Sequence, residues 1–306
     1  MKENPISENL SQADEHSKRQ EKHPLLKNLV RQHPYWSVII LTLYNIITLE
    51  CIRFIVFLID LSPYKVPPVP GSTIAEAILA LLWVFIPLYV LDWWSTPGFQ
   101  TILTWPLHIR GHRALFLGLF FLLCLLPLLA LAFSMPIHQT ALSTIVMVAV
   151  FCLFVGIAEE GLFRGLILNM LLPKGIWRAV LLSSLLFGSV HIFNAFAVFP
   201  LNDVLGEMLA ALGFGLFLAA VRLRTNSLRL GIIAHSLWDL PLVILSLRHK
   251  PISEPSLPQA LLIGGIICAI YMVCTLIILR PKKLRELRVK YGFVSDAPDP
   301  RMVTQA

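Results

Sequence analysis

Residues 158–165 read AEEGLFRG and place two adjacent carboxylates, Glu159 and Glu160, and one arginine, Arg164, inside an apolar stretch that is otherwise typical of a membrane helix. A charged side chain at the centre of a bilayer costs roughly 2.5–3.5 kcal/mol on insertion scales. Because of this cost, ionisable groups within a membrane span indicate a functional role. The cluster is the first candidate functional site of the chain.

The composition predicts a polytopic membrane protein. Of its 306 residues, 57% are hydrophobic and 14% are charged, and the mean hydropathy is +0.74, whereas about a quarter of the residues of a soluble domain are charged. We predict an all-α transmembrane bundle of about eight spans of about 20 residues each. The predicted spans are 36–58, 74–91, 114–133, an overlong 141–172, 177–199, 204–221, 230–247 and 259–279. They form one domain, 36–280, between a disordered tail, 1–35, and a basic tail, 281–306.

The distribution of Lys and Arg predicts the orientation of the bundle. Basic residues concentrate in the amino-terminal tail, in the even-numbered loops and in the segment after the last span, with the loop around Arg248 as the exception. Because excess positive charge stays on the cytoplasmic side, both termini are expected in the cytoplasm. We interpret the chain as an integral protein of a bacterial plasma membrane. The net charge of +7 then reflects topology and contact with bilayer headgroups, and no nucleic-acid partner is needed to explain it.

Three short motifs with helical spacing fall in three different predicted spans. In the first, Glu160 and Arg164 are four residues apart and share a helix face, so they can pair, while Glu159 points about 100° away. The alternative is that Glu160 and Arg164 form a purely structural charge pair at a membrane interface. The second motif is FxxxH at 187–191, and the third is HxxxD at 235–239, which Pro241 follows with an expected kink.

Glu159, His191 and His235 are the side chains that can converge between the three spans. Two histidines and one carboxylate could bind a zinc ion with an open position for water. Alternatively, without a metal, Glu159 and His191 activate water while His235 and Asp239 stabilise an oxyanion. The sequence leaves both alternatives open, and it contains no HExxH motif.

The ordered trio of motifs, EExxxR at 159–164, FxxxH at 187–191 and HxxxD at 235–239, resembles the CPBP family of intramembrane proteases over about residues 140–245. That family includes the CaaX prenyl endopeptidases and the Abi and bacteriocin-immunity proteins. The resemblance implies an endopeptidase whose site opens toward the cytosol and whose substrate is a protein or peptide with a hydrophobic or lipidated segment.

The resemblance also implies roles for the site residues. Glu159 and His191 would hold the attacking water, His235 and Asp239 would line the oxyanion site, and the pair of Glu160 with its arginine would brace the first helix. Asp239 departs from the family pattern, which often has Asn, because an ionised carboxylate cannot donate a hydrogen bond to an oxyanion. It must be protonated, orient His235, or ligate a metal.

Three further expectations remain to be compared with the structure. At about 1.5 Å of rise per residue, His191 lies about 20 Å along its span, whereas His235 lies shallow. This mismatch in depth is resolved if the span 177–199 tilts or starts before the membrane boundary, or if the overlong span 141–172 breaks near Gly161. Glu207, near a span end, is expected to be structural. A non-catalytic immunity or membrane interaction protein is the alternative function, and a proton-coupled transporter is disfavoured because no internal repeat is visible.

Overall fold

The computed structural model describes residues 24–60, 86, 141–196, 200–246 and 255–293, and every regular element in these residues is helical. Four described helical segments are long and apolar enough to cross a membrane: Leu142–Lys174, Ile176–Ala195, Leu201–Thr225 and Leu257–Ile278. The all-helical membrane architecture is thereby confirmed, while the number of about eight spans stays a prediction. The predicted spans 74–91, apart from residue 86, and 114–133 lie outside the described residues.

Among the described residues, two helices precede the region that carries the three sequence motifs. Helix α1, Pro24–Gln32, lies within the segment 1–35 that was predicted to be disordered, and residues 24–32 form a regular helix. The physical reason is that Val30 is buried and joins the main hydrophobic core, which holds the short helix. Helix α2, Pro34–Asp60, has 27 residues and contains the predicted span 36–58.

The overlong predicted span 141–172 is one continuous helical run with a local change of winding. Helix α3, Leu142–Glu160, passes into a π-helical segment, Gly161–Ile167, and then into the short helix α4, Leu168–Leu171. A break was expected near Gly161, but the helix only widens there, and all residues of the π segment are buried. Such π turns are frequent at functional sites because they re-aim the side chains beside them.

The remaining helices complete the described part of the bundle. A 3₁₀ turn, Leu172–Lys174, leads through Gly175, whose positive φ of 117° permits the reversal, into α5. The helices are α5, Ile176–Val190; α6, Leu201–Thr225; α7, Arg229–Ser246; α8, Leu257–Ile278; and α9, Pro281–Lys290. A 3₁₀ helix, His191–Phe196, continues α5, and α7 runs through Pro241 without ending.

Helix α6 is the centre of this packing. It lies against α5 on one side and against α8 on the other, while α3 packs against α7. The approach of α6 to α8 depends on glycines, because a Cβ atom at Gly206 would lie 2.7 Å from the carbonyl oxygen of Ala260, and one at Gly264 would meet the backbone of Gly206. The helices that carry the three sequence motifs, α3, α5 and α7, therefore surround one buried region beside α6.

Candidate active site

The buried centre of the site is a chain of three polar side chains. The Arg164 guanidinium donates from Nη1 to Oε1 of Glu160 over 2.6 Å, and the same carboxylate oxygen lies 3.1 Å from Nδ1 of His235. All three side chains are at least 96% buried. Because Oε1 of Glu160 already acts as the acceptor toward Arg164, Nδ1 of His235 is assigned as the donor in this contact. The pair of Glu160 and Arg164 that the sequence predicted is thus present and is joined to His235.

The other nitrogen of His235 faces two further carboxylates. Nε2 lies 3.6 Å from Oε2 of Glu159 and 3.5 Å from Oδ2 of Asp239. Glu159 and Glu160 point in different directions from the same helix. Glu159 consequently lies beside Nε2 of the His235 ring, and Glu160 lies beside Nδ1 of the same ring. Oε2 of Glu159 is buried and accepts no hydrogen bond from a described residue, although about a third of the side chain is exposed. A polar atom of that kind is suited to a water molecule or a substrate group.

Glycines on the facing helices make room for this cluster. A Cβ atom at Gly231 of α7 would lie 2.9 Å from Oε2 of Glu160, and one at Gly156 of α3 would lie 2.8 Å from Oγ of Ser236. A larger residue at position 231 would displace the Glu160 carboxylate, and one at position 156 would displace the Ser236 hydroxyl and come within 3.1 Å of the carbonyl oxygen of Ile232. The contact between Glu160 and His235 therefore depends on small residues that the sequence motifs do not include.

Phe187 links the three motifs by its ring. Its centroid lies 4.2 Å from the guanidinium carbon of Arg164, 5.1 Å from the His191 ring and 5.6 Å from the His235 ring. Nε and Nη2 of Arg164 have no hydrogen-bond acceptor among the described residues, so the face of the Phe187 ring supplies part of the compensation for this buried cation. The FxxxH motif therefore contributes its phenylalanine as well as its histidine.

His191 faces a carboxylate that the sequence did not assign to the site. Its Nδ1 lies 2.8 Å from the carbonyl oxygen of Phe187, which places the proton on that nitrogen. Nε2 lies 3.9 Å from Oε1 of Glu207 on α6, and both Glu207 oxygens accept from Nδ2 of Asn194 at 3.1 and 3.2 Å. Glu207 was expected to be structural. The sequence signal that could have found it was a carboxylate in an otherwise apolar span.

The partner of His191 differs from the expected one for a geometric reason. His191 begins the 3₁₀ helix that follows α5, and this turn packs against α6. Its Nε2 is consequently directed at Glu207, whereas Glu159 is directed at His235. Asp239 connects the two halves of the site, because it interacts electrostatically with His235, with His191 and with Glu207.

The expected mismatch in depth between the two histidines is absent. Both rings contact Phe187, so they lie at a similar depth in the bundle. Ser227 and Leu228, which precede α7, are each 1% exposed, so the start of α7 is covered by neighbouring residues of the protein. Of the resolutions that the sequence left open, the break near Gly161 is not present, because the helical run continues through the π segment.

The geometry does not assemble the zinc ligands considered from the sequence. Glu159 and His235 are close, but His191 is directed at Glu207, and no three His, Cys, Asp or Glu side chains in the described part of the chain are arranged so that they could hold a metal ion. The ring nitrogens of His235 are already opposed by three carboxylates. The residues described here do not fit a two-histidine, one-glutamate zinc site, and zinc binding stays a prediction.

Comparison with known proteins identifies the class to which this helical membrane site is similar. Residues 141–241, about a third of the chain, match the family described as type II CAAX prenyl endopeptidase Rce1-like. This match confirms the resemblance to the CPBP and CaaX proteases that the three motifs indicated, and it covers all of them. No curated protein and no solved structure matches the chain.

Proposed function

We propose that this protein is an intramembrane endopeptidase that hydrolyses peptide bonds of membrane-associated proteins or peptides. The observation that carries the proposal is the arrangement around His235, whose two ring nitrogens are held between Glu160 and the pair of Glu159 and Asp239. The similarity of residues 141–241 to a protease family supports the same conclusion. The substrate is a protein or peptide with a hydrophobic or lipidated segment.

Glu159 acts as the general base. Its buried Oε2 accepts no hydrogen bond from a described residue, so it can accept a proton from a water molecule as that water attacks the peptide carbonyl. The proton then passes to the nitrogen of the leaving peptide. Partial exposure of Glu159 supports this role, because both water and substrate must reach it.

His235 and Asp239 stabilise the oxyanion that forms during the attack. Glu160 accepts the Nδ1 proton and orients the imidazole, which leaves Nε2 directed at the reacting region; in the doubly protonated form Nε2 donates to the oxyanion. Asp239 contributes a second donor when it carries a proton, and otherwise orients His235 through the 3.5 Å contact. Arg164 and Phe187 are positioning residues that hold Glu160 and both histidines.

His191 holds the attacking water together with Glu159. The proton on Nδ1 leaves Nε2 as the nitrogen that exchanges a proton with water, and Glu207 orients this side of the ring. The catalytic set is therefore Glu159, His191, His235 and Asp239. Each of these groups works without a metal ion, and a zinc-dependent mechanism is the alternative that the experiment below tests.

The protein acts in a membrane with both termini in the cytoplasm, and the site opens toward the same side. The support is the distribution of basic residues, which favours a bacterial plasma membrane topology of this kind. A cysteine placed at position 286 in the carboxy-terminal helix and one placed at position 257 at the start of α8 test the orientation. We expect a membrane-impermeant thiol reagent added outside intact cells to label the second position only.

The decisive experiment compares new protein termini in cells that contain equal amounts of the native protein and of the Glu159→Gln variant. We expect a set of termini that appears only with the native protein. Glu286→Gln is the matched control, since it neutralises an exposed carboxylate on α9 far from the site, and it should behave as the native protein does. Identical termini in all three cell lines would instead favour a non-catalytic immunity or membrane interaction protein.

Metal dependence is measured on the purified protein with a substrate identified in this way. Activity that persists after removal of all bound metal supports the metal-free mechanism. Activity that is lost to a chelator and restored by zinc would overturn it in favour of the zinc alternative.

A further inference from the structure

A basic pocket lies at one end of the helical bundle, away from the candidate active site. It has a volume of about 360 Å³ and is lined by residues 174–178, in the turn into α5, and by Arg288 and Phe293 at the carboxy-terminal end of the described chain. We name it the basic pocket. Lys174, Arg178 and Arg288 line it from three different segments, and no described acidic residue is among its lining residues.

The three cations of the basic pocket are not paired with any described carboxylate. All three side chains are exposed, and in the described segments none of them forms an ion pair, whereas Lys283 on the same helix as Arg288 pairs with Glu286 at 3.0 Å. Three like charges around one cavity repel one another. An anion bound between them would relieve this repulsion, so the basic pocket suits an anionic group.

The apolar lining indicates what kind of anion fits. Ile176, Trp177 and Phe293 share the lining with the cations, so one part of the pocket suits hydrocarbon and another suits negative charge. Tryptophan is enriched at membrane interfaces, and basic pockets between transmembrane helices bind anionic headgroups. A soluble anion would make no use of the apolar part.

We propose that the basic pocket binds the phosphate group of an anionic membrane phospholipid. The phosphate lies between Arg178 and Arg288, Lys174 contributes from the rim, and the acyl chains follow the apolar side past Trp177. The amino end of α5 is not capped by any side chain, so its dipole adds to the same positive potential. Binding joins the 3₁₀ turn that ends at Lys174, the start of α5 and helix α9.

The test uses the full-length protein purified in detergent, with native mass spectrometry as the readout. The protein is titrated with dioleoylphosphatidylglycerol, with dioleoylphosphatidylcholine and with inorganic phosphate. We expect one tightly bound phosphatidylglycerol, no equivalent phosphatidylcholine, and no displacement by inorganic phosphate at equal concentration. Saturation by inorganic phosphate, with phosphatidylglycerol unable to compete, would assign the site to a soluble anion and overturn the proposal.

The double variant Arg178→Gln/Arg288→Gln should weaken phosphatidylglycerol binding about tenfold or more, because each basic residue near a membrane surface contributes measurably to headgroup affinity. The matched control Lys282→Gln/Arg285→Gln removes two charges from α9 that do not line the pocket, and it should bind as the native protein does. Equal weakening in both variants would show a non-specific charge effect and contradict the proposal. If the double variant unfolds at a lower temperature than the native protein, the single variant Lys174→Gln, at the rim of the pocket, takes its place. It should weaken phosphatidylglycerol binding less than the double variant does, and an unchanged affinity would contradict the proposal.

Discussion

Nδ1 of His235 lies 3.1 Å from Oε1 of Glu160, across 75 residues of sequence. This contact joins the first motif to the third, and it is buried together with Arg164, so the three side chains share two formal charges of opposite sign and one imidazole. Removing one member leaves an uncompensated group in an apolar environment. Replacement of any one of the three side chains is therefore expected to lower the free energy of unfolding.

Arg164→Met should destabilise the protein by about 3–5 kcal/mol, because it leaves the Glu160 carboxylate buried without its cation. The double variant Glu160→Gln/Arg164→Met should be less destabilised than the sum of the two single variants. The measurement is reversible unfolding in detergent micelles for all four proteins. Additive losses would show that the two side chains do not act as a pair.

Phe187→Leu should destabilise the protein by about 2 kcal/mol more than Phe217→Leu. Both phenylalanines are at least 98% buried, and both variants lose the same atoms, but only the Phe187 ring is seen here to lie against the Arg164 guanidinium. Cleavage by Phe187→Leu should also fall, because the ring contacts both histidines. Equal stability and equal cleavage in the two variants would show that Phe187 does not position Arg164 and the two histidines.

Asp239→Asn should retain cleavage activity, because an amide donates a hydrogen bond without needing a proton at this position. Asp239→Ala should lose activity by roughly a hundredfold or more, since an oxyanion donor is removed. The rate of product formation on one identified substrate, at equal protein amounts, distinguishes the two variants. An inactive Asp239→Asn protein with normal stability would show that the negative charge itself is required, as it is when Asp239 only orients His235.

Glu207→Gln should lower kcat between about ten- and a hundredfold with little change in KM, because the carboxylate faces Nε2 of His191 and steers its proton transfer. The amide can still pair with Asn194, so the local fold is preserved. Asp203→Asn, four residues earlier on the same helix, is the matched control and should leave kcat unchanged. An unchanged kcat in Glu207→Gln would return this residue to a structural role.

Contacts within one helix were predictable from the sequence, whereas contacts between helices were not. The spacing of four residues predicted both the pair of Glu160 with Arg164 and the contact of His235 with Asp239, and both are present. The meeting of His191 with Glu207 depends on the 3₁₀ turn after α5 and on the path of α6, which no local pattern encodes. The π segment at Gly161–Ile167 was not predicted either, because the residue pattern there is that of an ordinary apolar helix.

Gly264→Val should destabilise the protein by at least about 1–3 kcal/mol, while Gly265→Val, at the next residue of α8, should be almost neutral. A Cβ atom at Gly264 would meet the backbone of Gly206, so α8 could stay in place only by moving away from α6, whereas a Cβ atom at Gly265 meets nothing within 4 Å. Because α6 carries Glu207, the separation should also lower cleavage activity. Unfolding in micelles and product formation are measured on both variants. Equal behaviour of the two would contradict the close crossing of α6 and α8 on which the position of Glu207 depends.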